Sequence, residues 1–258
     1  MTAPVLATKG KLYLVPAPLD FGCDVQTPLQ DAIPSGTLQV ASTLLHWVSE
    51  NAKTTRAYLK RVHELHPLSN PIQALQIQEL PREVHKKGDH NGQFDAKHLL
   101  APALAGHDMG LVSEAGMPAV ADPGSSVVRA AHDLGLMVVP LVGPVSLLLA
   151  LAASGLNGQN FAFVGYLPMD SAERVQRIRE LESLALKTGQ TQLFIEVPFR
   201  NVAMMQALIQ TLQHNTRLSV SSGLTLASAM TRSETVKGWK QKASTLGNST
   251  PAVFAIGR

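Results

Sequence analysis

The chain has 258 residues, 45% of them apolar and 16% charged, which is ample for a sizeable core and too little charge for a disordered protein. Its single cysteine, Cys23, excludes an internal disulfide framework and any multi-cysteine metal site, and points to a reducing, cytoplasmic setting. A formal net charge of +3 permits an anionic partner without requiring one.

Short apolar runs alternate with helix-period segments almost throughout. The pattern predicts strands at 11–15, 109–112, 136–141, 161–164, 192–197, 218–221 and 252–256. Several lack charge on both alternating faces, as expected of strands covered on both sides. Helices are predicted at 42–64, 95–105, 125–134, 145–153, 171–186 and 201–213. Ser125 and Ser171 sit where N-caps belong, and Gly135 follows the third of these helices as a stop. The alternation argues an α/β protein with largely parallel sheets.

Between Leu65 and Gly92 the pattern dissolves into a segment with Pro67, Pro71, Pro81, three histidines and the polar run 85–91, expected to be a long functional or mobile loop. A second break at 156–160 precedes a β-α-β-α-β-β order. The domain boundary is placed between Gly143 and Gly158, giving domains 1–143 and 144–258. Residues 1–9 do not read as a signal peptide. The uncharged stretch 134–169 is broken by prolines and glycines. Its uninterrupted piece, 145–153, would reach only about 14 Å as a helix, so no membrane span is expected.

Several chemistries are missing from the sequence. No two glycines lie two apart, so a G-x-G-x-x-G dinucleotide loop is absent, and no P-loop or G-x-S-x-G elbow occurs. His63 and His66 share a helix face without an H-E-x-x-H pattern, which reads as a packed or solvated pair, and no metal site is expected. Two Gly/Pro-rich turns are the positive signal. Residues 110–124 and 139–146 each leave a buried strand and enter a helix. Small residues there let a ligand approach the backbone, and helix N-termini offer N–H groups to it. The plainer alternative is a pair of tight βα turns.

The strings SEAGMPAVADPG (113–124), VPLVGP (139–144), ASGL (153–156) and FVGYLP (163–168), in that order and spacing, resemble the tetrapyrrole (corrin/porphyrin) methylase superfamily. These are the class III S-adenosylmethionine-dependent methyltransferases. The likeness is in particular to the branch of small-subunit ribosomal RNA 2′-O-ribose methyltransferase I. GKLYLVP (10–16) and LFIEVPFRN (193–201) support it, and the resemblance spans nearly the whole chain.

The resemblance implies two α/β domains with a cofactor cleft between them, homodimerisation, and S-adenosylmethionine as cofactor. Carried over by position, Pro16 closes the first βα turn, and Ser113, Ala115, Gly116, Met117 and Val120 lie along the methionine and sulfonium end. Val145 and Ser146 face the cofactor after the second turn. Glu196 and Val197 end a second-domain strand beside it, and Pro251 and Ala252 open the final strand near the adenine. Thr225 is a weak match. Two elements depart from the family: APLDFGCDVQ (17–26) replaces a glycine-containing first loop, and ENAKTTR (50–56) keeps only part of a Glu-Asp-Thr-Arg element. The family's His-Asn loop has no clear counterpart in 65–92.

Glu114 stands where the ribosomal branch has an acidic residue. It reads either as a general base for an attacking hydroxyl or as a turn-capping carboxylate. Asp122, just before the helix at Ser125, is expected to cap that helix or to act on its dipole. Glu196 and Arg200 either pair with each other or leave Arg200 for a substrate anion. Lys53, Arg56 and Lys60, at i, i+3 and i+7 with Arg61 adjacent, form a helical stripe that could meet RNA phosphates or simply be solvated. The run 147–151 is core or dimer interface. The expected function is methyl transfer to a ribose 2′-hydroxyl of ribosomal or other structured RNA. The alternatives are a tetrapyrrole or other small-molecule acceptor, and a non-catalytic RNA- or ligand-binding protein on the same scaffold.

Overall fold

The computed structural model describes residues 8–20, 22–87, 94–242 and 246–258, with the side chains of 85–87 excepted. These described residues form two compact units, one from those of 8–20 and 27–144 and the other from those of 22–26 and 145–258.

The first unit holds strands β1 (Lys11–Leu14), β2 (His46–Ser49), β3 (Gln76–Glu79), β4 (Met109–Val112) and β5 (Met137–Pro140) in the order β3-β2-β4-β1-β5, every pair parallel. Helices α1 (Leu29–Ala32), α2 (Ser35–Thr43), α3 (Ala52–Leu65), α4 (Arg82–Lys87), α5 (Ala101–Leu104) and α6 (Ser125–Asp133) connect them. Side chains alternate across the sheet into two cores. Val15, Trp47 and Val112 pack with Leu38, Tyr58, Leu59 and Val62 of α2 and α3. Leu12, Val48, Met109 and Leu111 pack with Val127, Ala130 and Ala131 of α6. Burial on both faces is what a parallel sheet requires. From the adjacent strands β1 and β4 the chain departs in opposite directions, to β2 and to β5, so their carboxyl ends flank the topological switch point.

The second unit has α7 (Ser146–Ser154), β6 (Phe161–Tyr166), α8 (Ser171–Thr188), β7 (Thr191–Glu196), α9 (Asn201–Thr211), β8 (Arg217–Ser222), β9 (Met230–Thr235), α10 (Val236–Gln241) and β10 (Ala252–Gly257). Its sheet runs β6-β7-β10-β8-β9. Phe194 and Phe254 face each other across β7 and β10 and stack at 5.5 Å on the side covered by α8 and α9. Leu147, Ala150 and Leu151 of α7 cover Leu193, Val253 and Ala255 on the other.

The seven predicted strands are present within one or two residues, but the expectation of largely parallel sheets holds only for the first unit. In the second, β6–β7 is parallel and the three remaining pairs are antiparallel. The short β8–β9 connection can join only antiparallel neighbours. The predicted helix at 42–64 covers only the last two residues of α2, then β2, and α3 to its penultimate residue. The apolar run 44–48 fits a buried strand as well as a helix, and Asn51 restarts the chain as α3, its side chain accepting from the amides of Lys53 and Thr54. Segment 65–92 is less irregular than expected, for it contains β3 and α4. β3 (QIQE) and β9 (MTRSET) lie at sheet edges and carry little apolar signal. Residues 88–93, including part of the polar run, and residues 1–7 of the N-terminal segment lie outside the described residues.

Trp47, fully buried, lies opposite Gly110 in the sheet, and a Cβ on Gly110 would sit 2.5 Å from the indole. Gly110→Ala is therefore an overpacking change expected to cost about 1–3 kcal/mol, lowering the melting temperature by several degrees. Adding Trp47→Leu should return part of that loss. An unchanged melting temperature in the single variant would contradict this packing.

Candidate functional site

Three turns converge at the carboxyl edge of the first sheet. After β1, Val15 donates to Leu111 O, and Tyr58 on α3 donates its hydroxyl to Pro16 O at 3.1 Å. Ala17 and Gly116 then bridge by reciprocal N–H···O bonds of 2.9 and 3.0 Å. The turn after β5 closes against the same place. A Cβ on Gly143 would lie 2.2 Å from Pro16 Cγ, so only glycine lets these turns touch. Thr37 holds that turn by donating to Val142 O at 2.8 Å. Gly116, at φ +71°, has Leu19 and Pro144 O within van der Waals reach of a hypothetical Cβ. Few side chains intervene here, and the backbone itself forms the surface.

The turn after β4 carries strain as well. Ala119 and Ala121 both adopt φ +64°, which L-residues pay on the order of 1 kcal/mol to hold. Ser113, at the end of β4, is 5% exposed and its Oγ has no hydrogen-bond partner; Ser49, ending β2, shares this state. A buried hydroxyl without a partner is an unmet demand that a polar ligand atom can satisfy.

Three carboxylates gather beside these turns. Glu50 Oε1 accepts from the Glu114 amide at 3.3 Å, and Thr54 Oγ1 donates to Glu114 Oε1 at 3.4 Å. The carboxyl of Asp122 is pushed up to about 7, first by burial and then by the charges of Glu50 and Glu114. Of the two roles expected of Asp122, the side-chain cap of α6 is not made. Gly124 occupies the N-cap of α6 and gives no side-chain cap, and α8 is capped by Asp170 rather than started by a Ser171 cap. Among the described residues no group of three or more His, Cys, Asp or Glu is arranged to hold a metal.

Of the sequence-derived residues, Pro16, Ser113, Ala115, Gly116, Met117 and Val120 all lie on these turns of the first unit. Pro16, Ser113 and Gly116 are buried, and Val120 is exposed. Lys53 and Lys60 are exposed on α3 and Arg56 is half-buried between them. Arg61 does not extend this stripe, because it is turned into an ion pair with Asp20 at 3.0 Å. In the second unit, Val145 is the N-cap of α7 and Ser146 its first residue. Glu196 and Ala252 are register partners at one end of the second sheet, next to Val197 and Pro251. Arg200 pairs with the fully buried Glu196 side chain at 3.0 Å. Sequence reasoning did not single out Glu50, Thr54 and Tyr58 as neighbours of the turns. The motif ENAKTTR contained two of them, but only the docking of α3 brings them there.

Because the folded state raises the pKa of Asp122, the carboxyl contributes stability below the ordinary value of 3.8 that is lost as pH rises through about 7. Asp122→Asn should therefore melt progressively higher, relative to the parent, as pH is taken from 4.5 to 8, by at least about 2 °C across the series. A pH-independent difference between the two proteins would show that Asp122 is not titrating in this way.

No protein-family model matches the chain. Its relatives include proteins named ribosomal RNA small subunit methyltransferase I. That of Vibrio cholerae serotype O1 is 38% identical over 48% of this chain and 42% of its own length. That of Escherichia coli O157:H7 is 29% identical over 84% and 66%, and that of Bacillus subtilis strain 168 is 30% identical over 79% and 60%. The chain thus spans between two fifths and two thirds of these relatives. Two solved structures share the fold across 96% of this chain. They are uroporphyrin-III-C-methyltransferase from Thermus thermophilus (TM-score 0.54, 17% identity) and the methyltransferase CobJ (TM-score 0.55, 16% identity). The chain is thus similar to the ribosomal RNA small subunit methyltransferase I proteins over part of their length, and it shares its fold with these two solved methyltransferases.

Proposed function

We propose that the chain is an S-adenosylmethionine-dependent methyltransferase acting on a ribose 2′-hydroxyl of ribosomal or other structured RNA. The observation that carries this reading is the convergence of three turns poor in side chains at the switch point of a parallel sheet, with the unpartnered Ser113 hydroxyl among them. Backbone amides and carbonyls, a polar orphan and small apolar residues suit a cofactor with a zwitterionic methionine end and a short methylene chain leading to a sulfonium. Pro16, Ser113, Ala115, Gly116, Met117 and Val120 would hold it. Val145, Ser146, Glu196, Val197, Pro251 and Ala252 of the second unit are proposed as cofactor contacts on the family resemblance alone.

Bound S-adenosylmethionine supplies an electrophilic methyl group. The chain's own part is to hold donor and acceptor in line and to receive the proton released as the new O–CH₃ bond forms and the S–CH₃ bond breaks. Glu114 is the group proposed to take that proton. Its Oε1 is already oriented by Thr54, and Glu50 fixes its backbone. On the acceptor side, Lys53, Arg56 and Lys60 offer three cationic groups along one face of α3, suited to successive phosphates. Arg200 is proposed to reach a substrate anion only by giving up its bond to Glu196. A homodimer is proposed as the working form. Leu148 and Leu149 of α7 support it, being 50% and 40% exposed while their neighbours Leu147 and Leu151 are buried. A cytoplasmic location is proposed from the lone cysteine; among the described residues no helix is long and apolar enough to cross a membrane.

Incubating the protein with methyl-labelled S-adenosylmethionine, small ribosomal subunits and a small-molecule extract tests the acceptor. Label is expected in RNA, at a nucleotide whose 3′ linkage has become resistant to alkali. Label confined to the small-molecule fraction would replace RNA by a compact acceptor, and no transfer at all would favour a binding protein. Lys53→Glu combined with Arg56→Glu should weaken RNA binding at least about tenfold at low salt and flatten the log K against log salt slope by about two. Unchanged affinity would remove the α3 stripe from the interface.

A further inference from the structure

The segment after β1 is one of the elements in which the sequence departs from the family it resembles, and the structure shows a buried ion pair there. Asp20 is 2% exposed, and its carboxylate meets the Arg61 guanidinium edge-on. Nη1 donates to Oδ1 at 3.1 Å and Nη2 to Oδ2 at 3.0 Å. The same Nη2 donates to Thr27 O at 2.6 Å, while the Thr27 amide donates back to Asp20 Oδ2 at 3.0 Å. Two residues seven positions apart are thereby tied to each other and to one side chain of α3. Only a planar fork of donors can do this; a lysine ammonium cannot make both parallel bonds and reach a carbonyl as well.

The tie continues toward the turns. Tyr58, one helical turn before Arg61, grips Pro16 O, and the next residue, Ala17, is bridged to Gly116 on the turn after β4. From α3 outward, the order is Arg61 to Asp20 and Thr27, Tyr58 to Pro16, and Ala17 to Gly116. A surface ion pair would be worth little, but here one partner is buried and every oxygen of the carboxylate is used.

We propose that Asp20 and Arg61 are positioning residues. They lock the segment after β1 so that Pro16 and Ala17 are held in register with Gly116 before any cofactor arrives. This rests on the methyltransferase reading for what is positioned, whereas the tie itself can be tested without it. The informative variant is Asp20→Asn with Arg61→Gln, which removes both charges and leaves no buried charge unpaired. Arg61→Lys keeps the charge and loses the fork.

Amide hydrogen exchange on the protein alone should be at least about tenfold faster in the double variant at Ala17, Thr27 and Gly116, whose amides the tie holds. Rates within α3 and β4 should stay as in the parent. Exchange unchanged at those three amides, or raised throughout the unit, would overturn the lock. Calorimetric titration with S-adenosylmethionine should then show about a tenfold weaker Kd in the double variant and an intermediate loss in Arg61→Lys. A parental Kd with faster local exchange would leave a tie with no positioning role and overturn the proposal. If the parent itself binds no S-adenosylmethionine, the methyltransferase reading fails and the positioning role falls with it, while the exchange data still decide whether the lock exists.

Discussion

Everything proposed for this protein depends on how closely backbone can approach backbone at the carboxyl edge of the first sheet. Pro16 occupies the space that a side chain on Gly143 would need, and Gly116 turns through a left-handed conformation to exchange two hydrogen bonds with Ala17. The contact is steric before it is chemical. By excluding side chains it leaves main-chain polar groups as the surface, which is the only way a sheet edge can present many donors and acceptors in a small area.

A site of this kind is costly locally and has to be carried by the rest of the unit. Two alanines hold positive φ, two serine hydroxyls are buried without partners, and burial beside Glu50 and Glu114 pushes the Asp122 carboxyl up to about 7. The two cores on either face of the parallel sheet offset these costs. Trp47 spans the place left open by Gly110 on one face, and Leu111 reaches the N-terminus of α6 on the other. The same helix that builds the first of these cores, α3, also supplies Tyr58 and Arg61 to the segment after β1, and turns Lys53 and Lys60 outward. One element therefore links core packing, the shape of the turns and the basic face.

What the sequence made legible was the part encoded in short-range pattern. Strands such as 109–112 and 252–256 announce themselves by unbroken apolar runs, and the two Gly/Pro turns by composition. β2 was hidden because LLHWV satisfies a helical period as well as a strand, and the cap that separates them, Asn51, is read only once its bonds to Lys53 and Thr54 are seen. β3 and β9 were hidden because edge strands need bury little. The site divided in the same way. Pro16, Ser113 and Gly116 could be placed from motif spacing, but the company of Glu114 could not. Asp122 lies on the same turn as Glu114, but Glu50 and Thr54 come from the end of β2 and the start of α3, and only tertiary docking brings them near it. Arg61 reads in the sequence only as a neighbour of the basic stripe, yet a buried partner forty-one positions away claims it.

The most direct test of the account is calorimetric titration of the protein with S-adenosylmethionine beside the variant Gly116→Trp, with circular dichroism melts confirming that both are folded. The account predicts saturable one-site binding at sub-millimolar ligand by the parent and its loss in the variant, whose indole would fill the space between the turns. Binding that survives Gly116→Trp would place the cofactor elsewhere, and no binding by the folded parent at millimolar ligand would contradict the methyltransferase reading itself.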